Sequence, residues 1–439
     1  MVTIRRPEGI NDMDHLHRVL IVAEHASAKF GGEAILPLHY YRVLRARNVP
    51  VWLLVHERTR AELTSLYPQD GAHLLFVPDT WLHKTLWRFS QRLPARLSVF
   101  TTGFAMRIAT QLAQRKRISE VVKRERITVI HQPMPVSPKE PSLMYGFGVP
   151  VVIGPMNGGM DYPPSFRRMQ GRLERLTLAA GRASASAMNR LIPGKRKAAQ
   201  LLVANERTKL ALPSSVSRAA CGILVENGVD LSLWLDTTTA EVLERSGHTT
   251  HFVYMGRLVD WKAVDLLLEA FANAAKSCSI SLEIIGDGAD RGALEQLARD
   301  LQILGGQQEA GRVHFTGWLS QAECATHIKN ADALVLPSLM ECGGAVVLEA
   351  MAMSLPVIAT KWGGPADYLD ESCGILVEPT SRNSLVAGLA NAMQHLSSDP
   401  AKRLSMGLAA RERVVRHFDW EVKVDLMMDI YSSVSTPNA

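Results

Sequence analysis

The stretch that decides the fold is PSLMECGGAVVLE, residues 337–349. It follows the apolar segment Ala333–Leu336 and places two glutamates, Glu341 and Glu349, eight positions apart. A glycine pair between them leads into an apolar run, which predicts a strand, a glycine turn and the start of a buried helix. Such a helix start offers backbone N–H groups and a positive dipole end, and both features suit a phosphate group.

The two glutamates are expected to have different roles. Glu341 precedes the predicted helix, whereas Glu349 lies more than one turn inside it. One carboxylate can therefore face a sugar beside the phosphates, and the other can face a more distant hydroxyl. An exposed helix position is the plain alternative for Glu349, but the apolar neighbours Leu348 and Ala350 argue against it.

The spacing resembles the Glu-seven-residues-Glu signature of retaining, nucleotide-sugar-dependent glycosyltransferases of the family-four group. Other segments resemble the family in the expected order, and they are Met255–Leu258 with Lys262, Asp265–Phe271, Leu282–Gly288, Val313–Trp318, Leu355–Ala359 and Cys373–Val377. The resemblance is strong from Phe252 to Glu378 and weaker in the N-terminal half. It implies the GT-B fold, in which two Rossmann-like domains face a central cleft and a C-terminal helix crosses back to the N-terminal domain.

The pattern of apolar segments agrees with an α/β protein of this kind. Short apolar strands are predicted in the N-terminal half at Val19–Ala23, Val51–Val55, Val129–Ile130 and Val149–Ile153. We expect an N-terminal acceptor-binding domain over residues 1–236 and a nucleotide-sugar-binding domain over residues 237–417. Residues 418–439 are expected to form the returning helix.

The chemistry of sugar transfer needs cations near the leaving group. Breaking the bond from a sugar to a diphosphate places negative charge on the phosphates, which fixed cations and N–H donors stabilise. The resemblance assigns Arg257 and Lys262 to the diphosphate. Ala263 stands where the family usually has glycine, and we expect this departure to change only the turn.

The resemblance also implies a set of donor-binding residues. Glu341 would hold hydroxyls of the donor sugar, and Glu349 would accept hydrogen bonds from the ribose. The remaining donor-binding candidates are Gly31, Gly32, Gly317, Trp318, Gly343, Gly344, Ala345 and Val346. Cys342 departs from the family's usual glycine, so the identity of the donor sugar is left open.

His131 and a long turn complete the candidate site. The pair Gln132-Pro133 should end a strand, so we expect the chain to leave the sheet at His131. By resemblance His131 faces the donor sugar near the reacting carbon and is a catalytic candidate, as are Glu341, Arg257 and Lys262. A packed core histidine is the alternative for His131. Asn157, Asp161 and Tyr162 follow a strand end and are expected on the acceptor side.

Charge is distributed unevenly along the chain. Residues 81–126 and residues 166–209 each contain eleven Lys and Arg against two acids. The basic residues Lys84, Arg88, Arg92 and Arg96 recur every four positions, and Trp81, Leu82, Leu86, Trp87, Phe89 and Leu93 lie among them. Basic residues mixed with Trp and Phe suit an anionic membrane surface, and a solvated helix face is the alternative. No nucleic-acid-binding signature is found.

Composition bounds the remaining possibilities. The five cysteines are odd in number and lack a CxxC pair, which favours reduced thiols and a cytoplasmic protein. If the basic stripe of Lys84, Arg88, Arg92 and Arg96 binds lipid, the protein is peripheral on the inner face of the cytoplasmic membrane. We expect no cofactor and no metal, since Arg257 and Lys262 can neutralise the phosphates. The partners expected are a nucleotide sugar and a saccharide or lipid-linked acceptor.

Three functions therefore compete. The first is a retaining hexosyltransferase for bacterial surface polysaccharide or glycolipid, and the second is a sugar synthase of the sucrose or glycogen type on the same fold. The third is a nucleotide-sugar-binding protein without turnover. A dehydrogenase is not indicated, because no predicted strand is followed by Gly-x-Gly-x-x-Gly.

Overall fold

The computed structural model describes residues 17–29, 32–92, 99–134, 137–169, 181, 184–218, 221–234 and 249–435. These residues belong to two compact units. The first comprises Met1–Gly159, Leu176–Glu226 and Lys423–Ala439, and the second comprises Met160–Arg175 and Asn227–Val422.

The first unit is built on a parallel seven-stranded sheet. Its strands are β1 Val19–Val22, β2 Val51–His56, β3 Leu74–Val77, β4 Val129–Gln132, β5 Val151–Met156, β6 Gln200–Val203 and β7 Cys221–Ile223. They lie in the order β3-β2-β1-β4-β5-β6-β7. Most strand residues are fully buried, as expected for a parallel sheet covered on both faces. The four-residue strand β3 was not predicted, and β5 continues past the predicted end at Ile153.

Helices connect the strands of the first sheet. They are Gly32–Ala46, Arg60–Leu66, Trp81–Ser90, Phe104–Arg124, Gly194–Lys197 and Glu206–Ala211. The helix Gly32–Ala46 buries Leu36, Tyr40 and Leu44, which recur at the helical period and so form one apolar face. The helix Trp81–Ser90, which carries Lys84 and Arg88, ends before the predicted basic stripe does. Leu93 and Arg96 of that stripe lie outside the described residues.

The second unit contains a parallel six-stranded sheet. Its strands are β8 Thr250–Met255, β9 Ile280–Ile285, β10 Val313–Gly317, β11 Ala333–Leu336, β12 Val357–Thr360 and β13 Gly374–Val377, in the order β10-β9-β8-β11-β12-β13. Its helices are Val264–Ala274, Arg291–Asp300, Gln321–Lys329, Ala345–Ala352, Pro365–Tyr368, Arg382–Ser398 and Pro400–His417. Two parallel Rossmann-like sheets confirm the predicted fold class.

The chain changes unit at positions that differ from the predicted boundary at residue 236. Asn227 and the residues after it group with the second unit. There Val229 forms a β-bridge with Asp419, and the N–H of Val229 donates to the carbonyl of Phe418 at 2.8 Å. Residues 160–169 also group with the second unit, although the chain on either side of Met160–Arg175 belongs to the first.

The C-terminal helix Trp420–Ser435 belongs to the first unit from Lys423 onward. Its Asp425 pairs with Arg47 at 2.5 Å, and the buried ammonium of Lys423 donates to the carbonyl of Val225. The expected return of the last helix to the N-terminal domain is thus seen in its contacts. Across the described residues, every helix is too short or too polar to span a bilayer.

Candidate functional site

The loop that joins β11 to the helix Ala345–Ala352 is built around Gly344. Gly344 has φ of +82°, a left-handed conformation that residues with a Cβ rarely adopt. A Cβ there would lie 3.0 Å from Cγ of Glu341, so the glycine leaves room for that side chain. The predicted order of strand, glycine turn and buried helix is confirmed. As first-turn groups, the N–H groups of Ala345 and Val346 have no acceptor within the helix.

Lys262 and Glu341 form an ion pair at this loop although 79 positions separate them in the sequence. Lys262 ends the short helix Asp260–Lys262, which follows β8, and Glu341 follows the adjacent strand β11. Both side chains are 13% exposed, so little water screens their attraction. The sequence predicted both residues as parts of one site, and the structure brings them together.

Glu349 carries a carboxyl group whose charged form is poorly solvated. The residue as a whole is only partly buried, but desolvation of its carboxyl raises the pKa to about 7. Within the part of the chain that the structure describes, no group donates a hydrogen bond to this carboxyl. A carboxylate without a donor from the protein can accept hydrogen bonds from ligand hydroxyls.

Residues 249–399 contain all of these groups, and they match the family described as glycosyl transferases group 1. This chain carries a group 1 glycosyltransferase domain. It is 30% identical over 210 residues to the glycogen synthase of Mycobacterium tuberculosis, a match that covers 47% of each chain. It is also 30% identical over 180 residues to the lipopolysaccharide core biosynthesis glycosyltransferase LpsE of Rhizobium meliloti, which covers 41% of this chain and 48% of that protein.

Solved structures extend the likeness of the glycosyltransferase fold over nearly the whole chain. HepE of Anabaena, crystallised in complex with UDP, has a TM-score of 0.61 at 17% identity and covers 95% of this chain and 100% of its own. At this identity the likeness concerns the fold, and it agrees with the predicted GT-B class. The chain spans about half the length of the curated relatives it matches.

The other predicted donor residues of the glycosyltransferase domain lie at the same edge of its sheet. Arg257 follows β8, is exposed, and its guanidinium carbon lies 5.8 Å from the centre of the Trp261 ring. Gly317 ends β10 with φ of +90°, and Trp318 after it is 77% exposed. Carboxyl ends of parallel strands form the ligand edge of such sheets, which agrees with the donor assignment.

Ala263 shows what the departure from glycine does. It adopts φ of +52° and ψ of +38°, the left-handed conformation that the family's glycine tolerates at lower cost. Its methyl group is buried, at 1% exposure. We expected the substitution to change only a turn. In the structure the alanine strains that turn, and Lys262 directly precedes the strained residue.

The N-terminal glycine pair is described only in part. Gly31 lies outside the described residues, and Gly32 is the first residue of the helix Gly32–Ala46. A Cβ on Gly32 would meet nothing within 4 Å, so packing alone does not require glycine at this position. The donor-binding roles of both stay predictions.

His131 differs from expectation. β4 continues to Gln132, so the prediction that the chain leaves the sheet at His131 is wrong. The imidazole is fully buried, with Nε2 2.7 Å from the carbonyl of Gly154 and Nδ1 2.7 Å from the hydroxyl of Tyr431. Burial lowers its pKa to about 4, so the ring is neutral. With both nitrogens bonded to protein, the geometry favours the core alternative, and the catalytic role stays a prediction.

The three residues expected on the acceptor side have unequal positions. Asn157 is buried, donates to Glu226 at 2.7 Å and accepts from Arg207 at 3.2 Å. Tyr162 is also buried, at 5% exposure. Asp161 is partly exposed, and its backbone carbonyl accepts a hydrogen bond from the protein. Burial favours a supporting role for the first two, and Asp161 is the one of the three that is partly exposed.

A second glycine pair, Gly363 and Gly364, was missed by the sequence analysis. A Cβ on Gly363 would lie 2.1 Å from the carbonyl oxygen of Glu341, and one on Gly364 would lie 1.9 Å from that of Gly343. The N–H of Gly364 donates to the carbonyl of Glu341 at 2.8 Å. This turn therefore holds the backbone of the loop between β11 and the helix Ala345–Ala352, residues 337–344, which we call the donor loop. A Gly-Gly-Pro run two residues after a buried strand was the signal that could have found it.

One group of described residues has the composition of a metal site. Ligand atoms of His56, Asp79 and His83 lie within 4.8 Å of one another in the first unit. Arg58 already donates to Asp79 at 2.9 Å, and His83 Nε2 lies 3.0 Å from the hydroxyl of Thr110. A cation would compete with the Arg58 guanidinium for the same carboxylate.

Proposed function

We propose that this chain is a retaining hexosyltransferase that moves a sugar from a nucleoside-diphosphate sugar to a saccharide or lipid-linked saccharide, without a metal. The observation that carries the proposal is the Lys262–Glu341 ion pair beside the glycine-capped start of the helix Ala345–Ala352. It places a cation, a carboxylate and first-turn N–H groups at one edge of the sheet. These are the groups needed to bind a diphosphate and a sugar together.

The donor binds by opening the ion pair. A diphosphate offers Lys262 more negative charge than one carboxylate does, so the ammonium turns to the phosphates and Glu341 is released to accept sugar hydroxyls. Arg257, exposed in the free protein, adds a planar fork for two phosphate oxygens. Glu349, whose carboxyl is poorly solvated in the free protein, accepts hydrogen bonds from the ribose hydroxyls. Each contact to phosphate strengthens as the leaving group gains charge, which lowers the barrier.

The deciding experiment is a donor panel. Purified protein is screened by thermal shift against UDP-, GDP- and ADP-sugars, since binding to the folded state raises the melting temperature. Transfer and donor hydrolysis are then measured with the sugar that binds, in buffer with excess chelator. The proposal predicts turnover with chelator present and retention of the anomeric configuration by NMR. Loss of all activity in chelator contradicts metal independence, and binding without turnover identifies a non-catalytic protein.

A membrane-bound acceptor is favoured over a sugar-synthase role by the helix Trp81–Ser90. Trp81 is 76% exposed and Trp87 is 54% exposed, and the basic residues Lys84 and Arg88 are exposed on the same helix. Large aromatic side chains in water beside cations are typical of a face that lies on anionic lipid. Each such cation contributes about 1 kcal/mol to binding at an anionic surface.

Vesicle sedimentation tests this part of the proposal. The protein should bind phosphatidylglycerol vesicles and not phosphatidylcholine vesicles, and salt should weaken binding. Lys84→Glu with Arg88→Glu should abolish it, whereas Lys276→Glu with Lys402→Glu makes the same charge change at other exposed positions and should leave most of it. Equal binding to both lipids, or none, would restore the sugar-synthase alternative, which the glycogen synthase relative also suggests.

A further inference from the structure

The segment 160–169 is anchored to the turn that holds the donor loop. The indole N–H of Trp362 donates to the carbonyl of Asp161 at 2.8 Å. The terminal methyl of Met160 lies 2.9 Å from the position that a Cβ on Gly363 would take. Ser165 donates from its hydroxyl to the carbonyl of Thr380, which makes a second anchor. These contacts all lie within the second unit.

Trp362 is the neighbour in sequence of the two glycines that contact the donor loop. It directly precedes Gly363 and Gly364, whose backbones touch the carbonyls of Glu341 and Gly343 with no space for a side chain. When a bound donor moves Glu341, the movement is therefore transmitted to the closely packed turn at Gly363 and Gly364. The same turn includes Trp362, whose indole N–H donates to the carbonyl of Asp161.

We propose that Trp362 is a positioning residue that couples the donor loop to the segment 160–169, so that a bound nucleoside diphosphate orders this segment for the acceptor. The inference rests on the proposed function and adds to it a link between the two substrates. Thermodynamic reciprocity then requires that the acceptor tightens donor binding by the same factor. The sequence signal is a tryptophan placed directly before the glycine pair.

Hydrogen exchange measured by mass spectrometry tests the coupling directly. Peptides that cover residues 160–169 and residues 341–349 are followed with and without UDP, with GDP and ADP run alongside, in the wild type and in Trp362→Phe. Phenylalanine keeps an aromatic ring but lacks the N–H donor. In the wild type, the nucleotide should slow exchange in both peptides. In the variant, protection of 341–349 should remain, and the added protection of 160–169 should fall at least about fivefold, the lower end of typical couplings.

Two further variants keep the outcome decisive. Tyr67→Phe likewise removes a side-chain donor from an aromatic residue, in the first unit, and should behave as the wild type. Ser165→Ala removes the second anchor at an exposed position and should lose part of the protection of 160–169, which tests the inference if Trp362→Phe folds poorly. Equal protection of 160–169 in the wild type, Trp362→Phe and Ser165→Ala overturns the inference.

Failure of the proposed function gives a different result. If no nucleotide protects residues 341–349 in the wild type, the donor assignment is wrong. Exchange measured without nucleotide then tests whether Trp362 anchors the segment. Trp362→Phe must raise exchange in 160–169 above that of the wild type, and unchanged exchange rejects Trp362 as a positioning residue.

Discussion

Replacing Glu349 by glutamine should stabilise the free protein while weakening its binding of nucleotide. Burial raises the pKa of this carboxyl from its ordinary 4.5 to about 7, because the ionised form is poorly solvated there. A shift of that size corresponds to roughly 3 kcal/mol of cost for the charged form in the folded state. The unfolded chain loses the proton first, so the cost appears as the pH rises above 4.5 and is complete above about 7.

Glutamine has nearly the same shape and no charge, so it removes that cost. The variant should melt higher at pH 8 and show little gain at pH 5. For a unit of about 200 residues, each kcal/mol moves the melting temperature by roughly 2–4 °C. In the ligand-bound state the balance reverses, because the ionised carboxylate accepts charge-assisted hydrogen bonds worth roughly 1.5–3 kcal/mol from hydroxyls. The dissociation constant for nucleotide should therefore rise at least about tenfold.

Two measurements check this pair of effects. Thermal unfolding is followed at pH 5 and pH 8, and nucleotide binding is followed by calorimetry across the same range. Wild-type affinity should increase as the pH rises through about 7, whereas the variant should show no such increase. Glu371→Gln makes the same change at an exposed carboxyl and should alter neither quantity. A lower melting temperature at pH 8, or an unchanged dissociation constant, would refute the reasoning.

Four other substitutions test the remaining assignments. Lys262→Ala and Arg257→Ala should each lower kcat more than they raise the donor KM, because charge on the diphosphate grows in the transition state, and steady-state kinetics with wild-type kcat would contradict this. Gly364→Ala should reduce donor affinity at least about tenfold (about 1.4 kcal/mol) by forcing the donor loop away, whereas Gly292→Ala, whose Cβ meets nothing within 4 Å, should bind donor normally in calorimetry. His131→Ala should lower stability by roughly 2–5 kcal/mol by leaving a cavity and two unpaired groups, with donor affinity nearly unchanged. Since the folded-state pKa of His131 is about 4, wild-type stability should fall as the pH drops from about 6.5 toward 4, and the variant should show a shallower fall in thermal melts.

The donor loop could be predicted because its signal is local. Glu341, the glycines and the apolar run lie within a few positions of one another, and strand, turn and helix follow from their order. The same reasoning missed β3, although its four residues are all apolar. It also ended β4 too early, because a proline after Gln132 limits a strand without deciding which residue is the last to pair.

What the sequence determined by itself is the alternation of strands and helices, the glycine turn and the identity of the charged residues. Only the tertiary structure decided which of them meet. Lys262 pairs with a glutamate 79 positions away, Trp362 binds a carbonyl 201 positions away, and His131 is held by a tyrosine 300 positions away. Local order follows from backbone conformation and hydrophobic period, which neighbouring residues specify. Such distant pairs, and the poorly solvated carboxyl of Glu349, arise when strands and helices pack, and desolvation then shifts the pKa of His131 and of Glu349.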